Sequence, residues 1–348
     1  MPYGQLNWTH TAYEKHRRHS AEHRGRLVPV GLHPYALRVC AATAVVASLA
    51  VCSSAGTRHE AQPSSTRMDA SAAVLAVSPP VRRPTRPVLP APPREKLGAA
   101  LARALKPVLP DGDTRLAVSV LDLDGVDREI ASYGDDATFD TASIIKVDIL
   151  ATLLLQAQDE DRDLTAAERR HAEAMIRTSD NGAANLLWRA IGKAEGLGAA
   201  NKRLGLASTE GGPGNRWGLT QTTAKDQVRL LRAVFARGSA ASARSSQGLN
   251  QASRAYIQEL MGQITEDQDW GVSAAGSRWA LKNGWLRRNT TGLWAINSIG
   301  QVTVRGRRYL VSVLSGGNAS MGGGISLVEG AARAAIRAAS AHAGPRPE

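Results

Sequence analysis

The chain reads as an α/β protein of the α+β type: an antiparallel five-stranded sheet flanked by helices, joined to an all-helical subdomain. Three observations predict it. Two strand-like runs precede a long helical stretch, and three more follow it. Helical patterns stand at both ends of that series, so both ends of the chain close the same sheet. The 348 residues are 43% hydrophobic, enough for a real core in one large domain or two small ones.

The elements follow in order. Lys96 to Val108 is helix-like. Arg115–Leu121 and Glu129–Tyr133 carry strand signals. The run Asp122-Leu-Asp-Gly-Val-Asp127 between them has the outline of a calcium loop. It lacks the spacing and closing glutamate of one, and reads as an acidic hairpin turn. Residues 143–265 are mostly helical. Trp279–Lys282, Leu293–Ile299 and Tyr309–Leu314 are strands, and Ser326 to Ser340 is an Ala-rich amphipathic helix. No internal repeat is visible.

This domain, residues 96–343, follows two segments of other character. Residues 1–56 are a basic leader ending in the apolar stretch Val39 to Ala55. That stretch reads as the core of an export signal, with Ser53-Ser54-Ala55 as a small-residue cleavage site, or as a retained anchor. Leu49-Ala50-Val51-Cys52 has the outline of a lipoprotein box, with Val51 a poor residue before the cysteine. Residues 57–95, rich in Pro, Ser, Ala and Arg, cannot bury enough apolar surface to fold and read as a stiff, extended linker. The domain is therefore expected outside the cell or at its surface, touching membrane only through its N-terminal segment.

The formal charge of +12 does not imply nucleic acid. Thirteen basic and five acidic side chains lie in residues 1–100, which leaves only +4 for everything after. Both cysteines, Cys40 and Cys52, sit in the leader, so the domain has no disulfide framework, cysteine-based zinc site or thiol nucleophile. Of eight histidines six lie upstream of the domain and His342 lies at its C-terminal tail, which leaves His171, in a context that reads as helix surface. A histidine-dependent triad or histidine-rich metal site has almost nothing to draw on. No cofactor is expected, and a monomer is.

Chemistry is carried by three short segments. In Thr141-Ala-Ser-Ile-Ile-Lys146, Ser143 and Lys146 stand three apart at a helix start, on one face. A serine hydroxyl needs a base, and a lysine buried enough to lose its proton can serve. The apolar run after Lys146 (Val147, Ile149, Leu150, Leu153–Leu155) makes that helix a buried one. Ser179-Asp180-Asn181 lies between two helical patterns and offers a second hydroxyl and a carboxamide; it is also a plausible helix cap. Lys282-Asn283-Gly284 ends the strand Trp279–Lys282, where glycine lets a ligand approach the backbone and lysine suits a carboxylate.

Ser-x-x-Lys, Ser-Asp-Asn and a late Lys-x-Gly, in that order, resemble the signature of class A β-lactamases and penicillin-binding proteins. The resemblance spans residues 96–343 and implies a serine β-lactamase-like fold. It also implies roles. Ser143 is acylated, Lys146 is its base, and Ser179 relays a proton to the leaving nitrogen. Asn181 binds the acyl-amide side chain, and Lys282, Asn283 and Gly284 line the carboxylate end. Backbone N–H groups of Ser143 and Trp285 form an oxyanion hole. The chain departs from the family in three places. Asn283 stands where the family has a hydroxyl residue. The segment between Lys146 and Ser179 is short, which predicts a more open cleft. The Gly-rich stretch Ser208–Trp217 holds Glu210 as its only carboxylate, the sole candidate there for the base that frees the acyl-enzyme. The resemblance implies hydrolysis of β-lactams. The alternatives are a D-alanyl-D-alanine peptidase acting on cell-wall peptide and a domain that binds wall material without catalysis.

Overall fold

The computed structural model describes residues 96–343, except 111, 126–127, 135 and 237–247. The leader and the linker lie outside the described residues. Five strands form one antiparallel sheet: β1 (Arg115–Asp122), β2 (Ala131–Tyr133), β5 (Arg278–Arg287), β6 (Trp294–Val304) and β7 (Arg307–Asn318), in the order β2-β1-β7-β6-β5. The fold class expected from the sequence is the one observed. β1 and β7 pair along their length, from Arg115 opposite Gly316 to Asp122 opposite Tyr309, so the two ends of the domain share the sheet centre.

One face of the sheet is closed by the first and last helices of the described residues. Helix α1 (Leu97–Leu105) and the 22-residue α8 (Met321–His342) lie on it, and Leu101, Leu105, Val118, Val311, Val328 and Ile336 form a core between them. Alanine recurs along α8 because small side chains let a long helix sit close to the sheet.

The other face carries the helical block: α2 (Ile145–Asp159), α3 (Ala166–Arg177), α4 (Asn181–Ala190), α5 (Lys193–Leu204), α6 (Ala224–Phe235) and α7 (Gln251–Met261). Helix α2 is buried nearly all round, as a helix apolar on every side must be. Two charged residues, Lys146 and Asp148, go into the core with it. Helix α3 begins on a reciprocal cap: Glu168 N donates to Thr165 Oγ1 and Thr165 N to the Glu168 carboxylate. Among the described residues no helix is long and apolar enough to cross a membrane.

Two details differ from the sequence reading. The helical stretch is interrupted by a two-stranded ribbon, β3 (Phe139–Asp140) with β4 (Gln221–Thr222), too short to show a period. And β5 runs ten residues, so Lys282-Asn283-Gly284 lies within a strand instead of ending one. The acidic run after β1 behaves as a turn. Arg307 pairs with Asp122 at 2.7 Å, and Arg308 donates to Asp124 from N at 3.0 Å and Nε at 3.1 Å. Its charge is thus met by arginines; residues 126–127 lie outside the described residues.

Candidate active site

The site forms where the edge strand β5 meets the start of α2. Residues Ala142–Ile144 make one 3₁₀ turn ahead of the helix. Ala142 is held at φ +47°, and Ser179, across the cleft, at φ +56°. Positive φ at two non-glycine residues is backbone strain that persists only where the surroundings impose it. The constraints are visible. Asn297 on β6 donates from Nδ2 to the carbonyls of Asp140 (2.8 Å) and Thr141 (3.0 Å), and Thr141 N donates to Thr220 O at 2.8 Å. The turn carrying Ser143 is thereby tied to β6 on one side and to the loop before α6 on the other.

Gly284 completes the contact. A Cβ there would lie 2.7 Å from Ser143 N and 2.8 Å from both Ile144 N and Thr141 O. All three are backbone atoms, so only glycine lets the strand edge approach the nucleophile turn this closely. Ser143 is half-buried, at the junction. Trp285 follows Gly284 on the same strand, opposite Ile296, and its ring leans on Trp270 with centroids 6.0 Å apart.

Lys146 is fully buried. Its Nζ donates to Ser179 O (2.7 Å), Ser179 Oγ (2.9 Å) and Asn181 Oδ1 (2.9 Å). Lys282 donates to the same Ser179 Oγ at 3.1 Å and to its own neighbour's carbonyl, Asn283 O, at 2.9 Å. Three sequence segments 33 to 136 residues apart are thus joined by one hydroxyl. Burial drives the Lys146 pKa well below the usual lysine value; the nearby Lys282 pushes it the same way and Asp180 opposes. Burial likewise brings Lys282 down to about 7, against the opposing pull of Asp267. A lysine that sheds its proton this readily can take one from a hydroxyl. Asp180 also does what its cap reading implied: its side chain accepts from Ala183 N at 2.6 Å and starts α4.

Two candidates do not join this group. Asn283 points away from Lys282, as neighbours on a strand must. It is buried, and its Nδ2 donates to the carbonyls of Gln268 and Trp270, both at 2.8 Å. Its side chain holds the segment before β5 and does not face the Ser179 hydroxyl. Glu210 is exposed; its backbone bridges Gln221 in both directions at 2.9 Å, and its carboxylate has no hydrogen-bond partner among the described residues. The bridge fixes the backbone and leaves the side chain to solvent. His171 is on α3, clear of these contacts.

The sequence reading also missed residues that build the site. Asn297 is one. Trp217 is another: its ring centroid lies 4.9 Å from Lys146 Nζ, and its Nε1 donates to Asn185 Oδ1 at 2.8 Å. A tryptophan in a Gly-rich loop, with an asparagine four residues beyond Asn181, was the only signal available. Among the described residues, no cluster of three or more His, Cys, Asp or Glu side chains could hold a metal ion.

Comparison with known proteins agrees with this architecture. Residues 168–343 match the profile of the Beta-lactamase enzyme family. A class A β-lactamase from Bacteroides cellulosilyticus DSM 14838 superposes with a TM-score of 0.59 at 14% identity, over 71% of this chain and 100% of that one. PBP-A gives 0.58 at 19% identity, over 72% and 99%. A class A β-lactamase from Mycobacterium abscessus gives 0.55 at 20%, over 70% and 100%. These likenesses establish the fold. In sequence, the putative lipoprotein LppW of Mycobacterium tuberculosis (strain ATCC 25618 / H37Rv) is 34% identical over 113 residues, 32% of this chain. The match spans 36% of that relative's length.

Proposed function

The chain belongs to the Beta-lactamase enzyme family, and from that premise we propose that it is a serine hydrolase that forms an acyl-enzyme at Ser143. Its substrates are amides: strained β-lactams and, as the alternative, D-alanyl cell-wall peptides. The observation that carries this reading is the Ser179 hydroxyl shared by two buried lysines, Lys146 at 2.9 Å and Lys282 at 3.1 Å.

The chemistry follows from that arrangement. Neutral Lys146 takes the proton of Ser143 as Oγ attacks the carbonyl carbon. Backbone N–H groups of Ser143 and Trp285 receive the oxyanion, pre-organised by the close approach of β5 to the turn. When the C–N bond breaks, Ser179 passes a proton from Lys146 to the leaving nitrogen. Lys282, in its charged form, attracts the substrate carboxylate, and Asn181 receives the acyl-amide side chain. Water then attacks the ester, its hydroxyl joins the acyl group, and the remaining proton returns to Ser143. Asn283 serves by anchoring β5, and no cofactor or metal is needed.

The enzyme works outside the cytoplasm. Supporting this are the apolar stretch Val39 to Ala55, the Pro-rich linker 57–95, and the description of the LppW relatives as putative lipoproteins. It acts as a monomer on small molecules or wall peptide, not on nucleic acid.

The test is steady-state hydrolysis of a chromogenic β-lactam and release of D-alanine from an acyl-D-alanyl-D-alanine peptide. Ser143→Ala and Lys146→Ala should each abolish whichever activity the wild type shows. Turnover that survives Ser143→Ala on both substrates would sink the proposal.

A further inference from the structure

The three hydrogen bonds of Lys146 all go to the 179–181 segment. The amine has one further neighbour. The ring of Trp217 lies 4.9 Å from Nζ to its centroid. The ring is not loosely placed. Its Nε1 is held by Asn185 Oδ1 at 2.8 Å, and Trp217–Leu219 forms a single 3₁₀ turn, closed by Thr220 N to Trp217 O at 3.0 Å. That turn rests on the nucleophile turn: a Cβ on Gly218 would touch Ala142 Cα at 3.8 Å. Lys146 has no exposed surface, although Ser143 and Ser179 beside it are only half-buried.

Of the carboxylates around the cleft, Asp180 accepts from Ala183 N, Asp140 is bound by Gln221 Nε2 at 2.6 Å and Arg288 at 2.8 Å, Glu210 is exposed, and Asp267 acts on Lys282. Hydrolysis of an ester on Ser143 requires water at the acyl carbon and a base for its proton. The O–C bond to water forms, the bond to Ser143 Oγ breaks, and the proton ends on Ser143. Lys146 is the base within the site, and an aromatic ring stands beside it.

Resting on the acyl-enzyme reading, we propose that Trp217 is a positioning residue that acts through Lys146, excluding water from the amine so that Ser143 is acylated readily and its ester is hydrolysed slowly. The charged and titratable groups facing Lys146 are Lys282 from β5, which lowers its pKa as burial does, and Asp180 ahead of α4, which opposes them.

The experiment uses the full chain and the variants Trp217→Ala, Trp217→Phe and Asn185→Leu, each first checked for a folded melting transition. Intact mass follows adduct formation and loss with benzylpenicillin across pH. In parallel, ¹³C-ε-lysine resonances, assigned by Lys146→Arg, report the Lys146 titration without any substrate. Trp217→Ala should shorten the adduct lifetime by about tenfold or more. Water readmitted to the amine should move the Lys146 titration, and the rising limb of acylation with it, about one pH unit or more to the alkaline side. Trp217→Phe should restore both toward wild type, and Asn185→Leu should fall between. A merely structural tryptophan would lower stability and leave the titration and the lifetime unchanged; that result overturns the proposal. A wild type that takes no adduct overturns the acyl-enzyme reading instead, and the lysine titration then decides the role of Trp217 alone.

Discussion

Asp148 is two residues beyond Lys146 on α2, fully buried in the helical block. The Asn201 amide faces its carboxylate without reaching hydrogen-bond geometry, and both carboxylate oxygens lack a partner among the described residues. Asp226, also buried, lies nearby and is held by Ser208 N, Thr209 Oγ1 and Arg229. Burial, with the neighbouring Asp226, raises the Asp148 pKa to about 8, so the folded protein holds it neutral at pH 7. An unfolded chain would ionise it near ~3.9. The folded state then binds the extra proton, and stability falls as pH rises. The penalty is absent below about pH 4, grows through the interval to about pH 8, and is constant above it. At pH 7 the gap is about three pH units, or roughly 4 kcal/mol against folding at ~1.4 kcal/mol per unit. Asn at this position has nearly the same volume and no charge to lose. Asp148→Asn should therefore stabilise the protein at pH 7.5 by about 2–4 kcal/mol, equivalent to a melting point higher by about 5–10 °C for a domain of this size. At pH 5 the gain should shrink to about 1 kcal/mol, since little of the interval has been crossed. Urea unfolding of both proteins at both pH values measures it, and the titrations of Lys146 and Lys282, common to both, cancel in the difference. An equal gain at the two pH values, or a loss at pH 7.5, would refute the buried neutral acid.

Three further outcomes follow from the site. Acylation needs Lys146 neutral and Lys282 charged, so its kcat/KM should rise with pH through the depressed Lys146 titration and fall as Lys282 loses its proton near pH 7; a profile flat from pH 6 to 9 would contradict both assignments. Gly284→Ala puts a Cβ into backbone atoms of Thr141, Ser143 and Ile144, and should lower the acylation rate about 100-fold or more by displacing the nucleophile turn, read by stopped-flow with a chromogenic β-lactam. Asn297→Ala strands the carbonyls of Asp140 and Thr141 and the N–H of Ser315, to which it is bonded at 2.8, 3.0 and 3.2 Å; it should destabilise by about 2–4 kcal/mol in urea titration and slow acylation as well.

Much of this structure could be read from the residues, and the exceptions have physical causes. The strands announced themselves as short, largely apolar runs, and α2 by an apolar run too continuous for a surface helix. The Ser143, Ser179 and Lys282 segments were recognised separately, and the fold brings Lys146, Ser179, Asn181 and Lys282 within hydrogen-bond reach. The strand was expected to end at Lys282, with Gly284 left open for a ligand; β5 runs on to Arg287, and what approaches that glycine is the backbone of the nucleophile turn. Asn283 was placed with the ligand by its neighbours in the motif, although strand alternation sends 282 and 283 to opposite faces. Ribbon β3–β4 is two residues wide, below any period. Trp217 and Asn297 act through contacts distant in sequence, 71 residues from Lys146 and 156 from Thr141, which no local pattern encodes.

The most direct test of the central claim is the intact mass of the full chain after mixing with benzylpenicillin, followed by peptide mapping. The account predicts a covalent adduct of the penicilloyl mass on the peptide containing Ser143, absent from Ser143→Ala. No adduct at any pH from 6 to 9, or one that persists in Ser143→Ala, would contradict it.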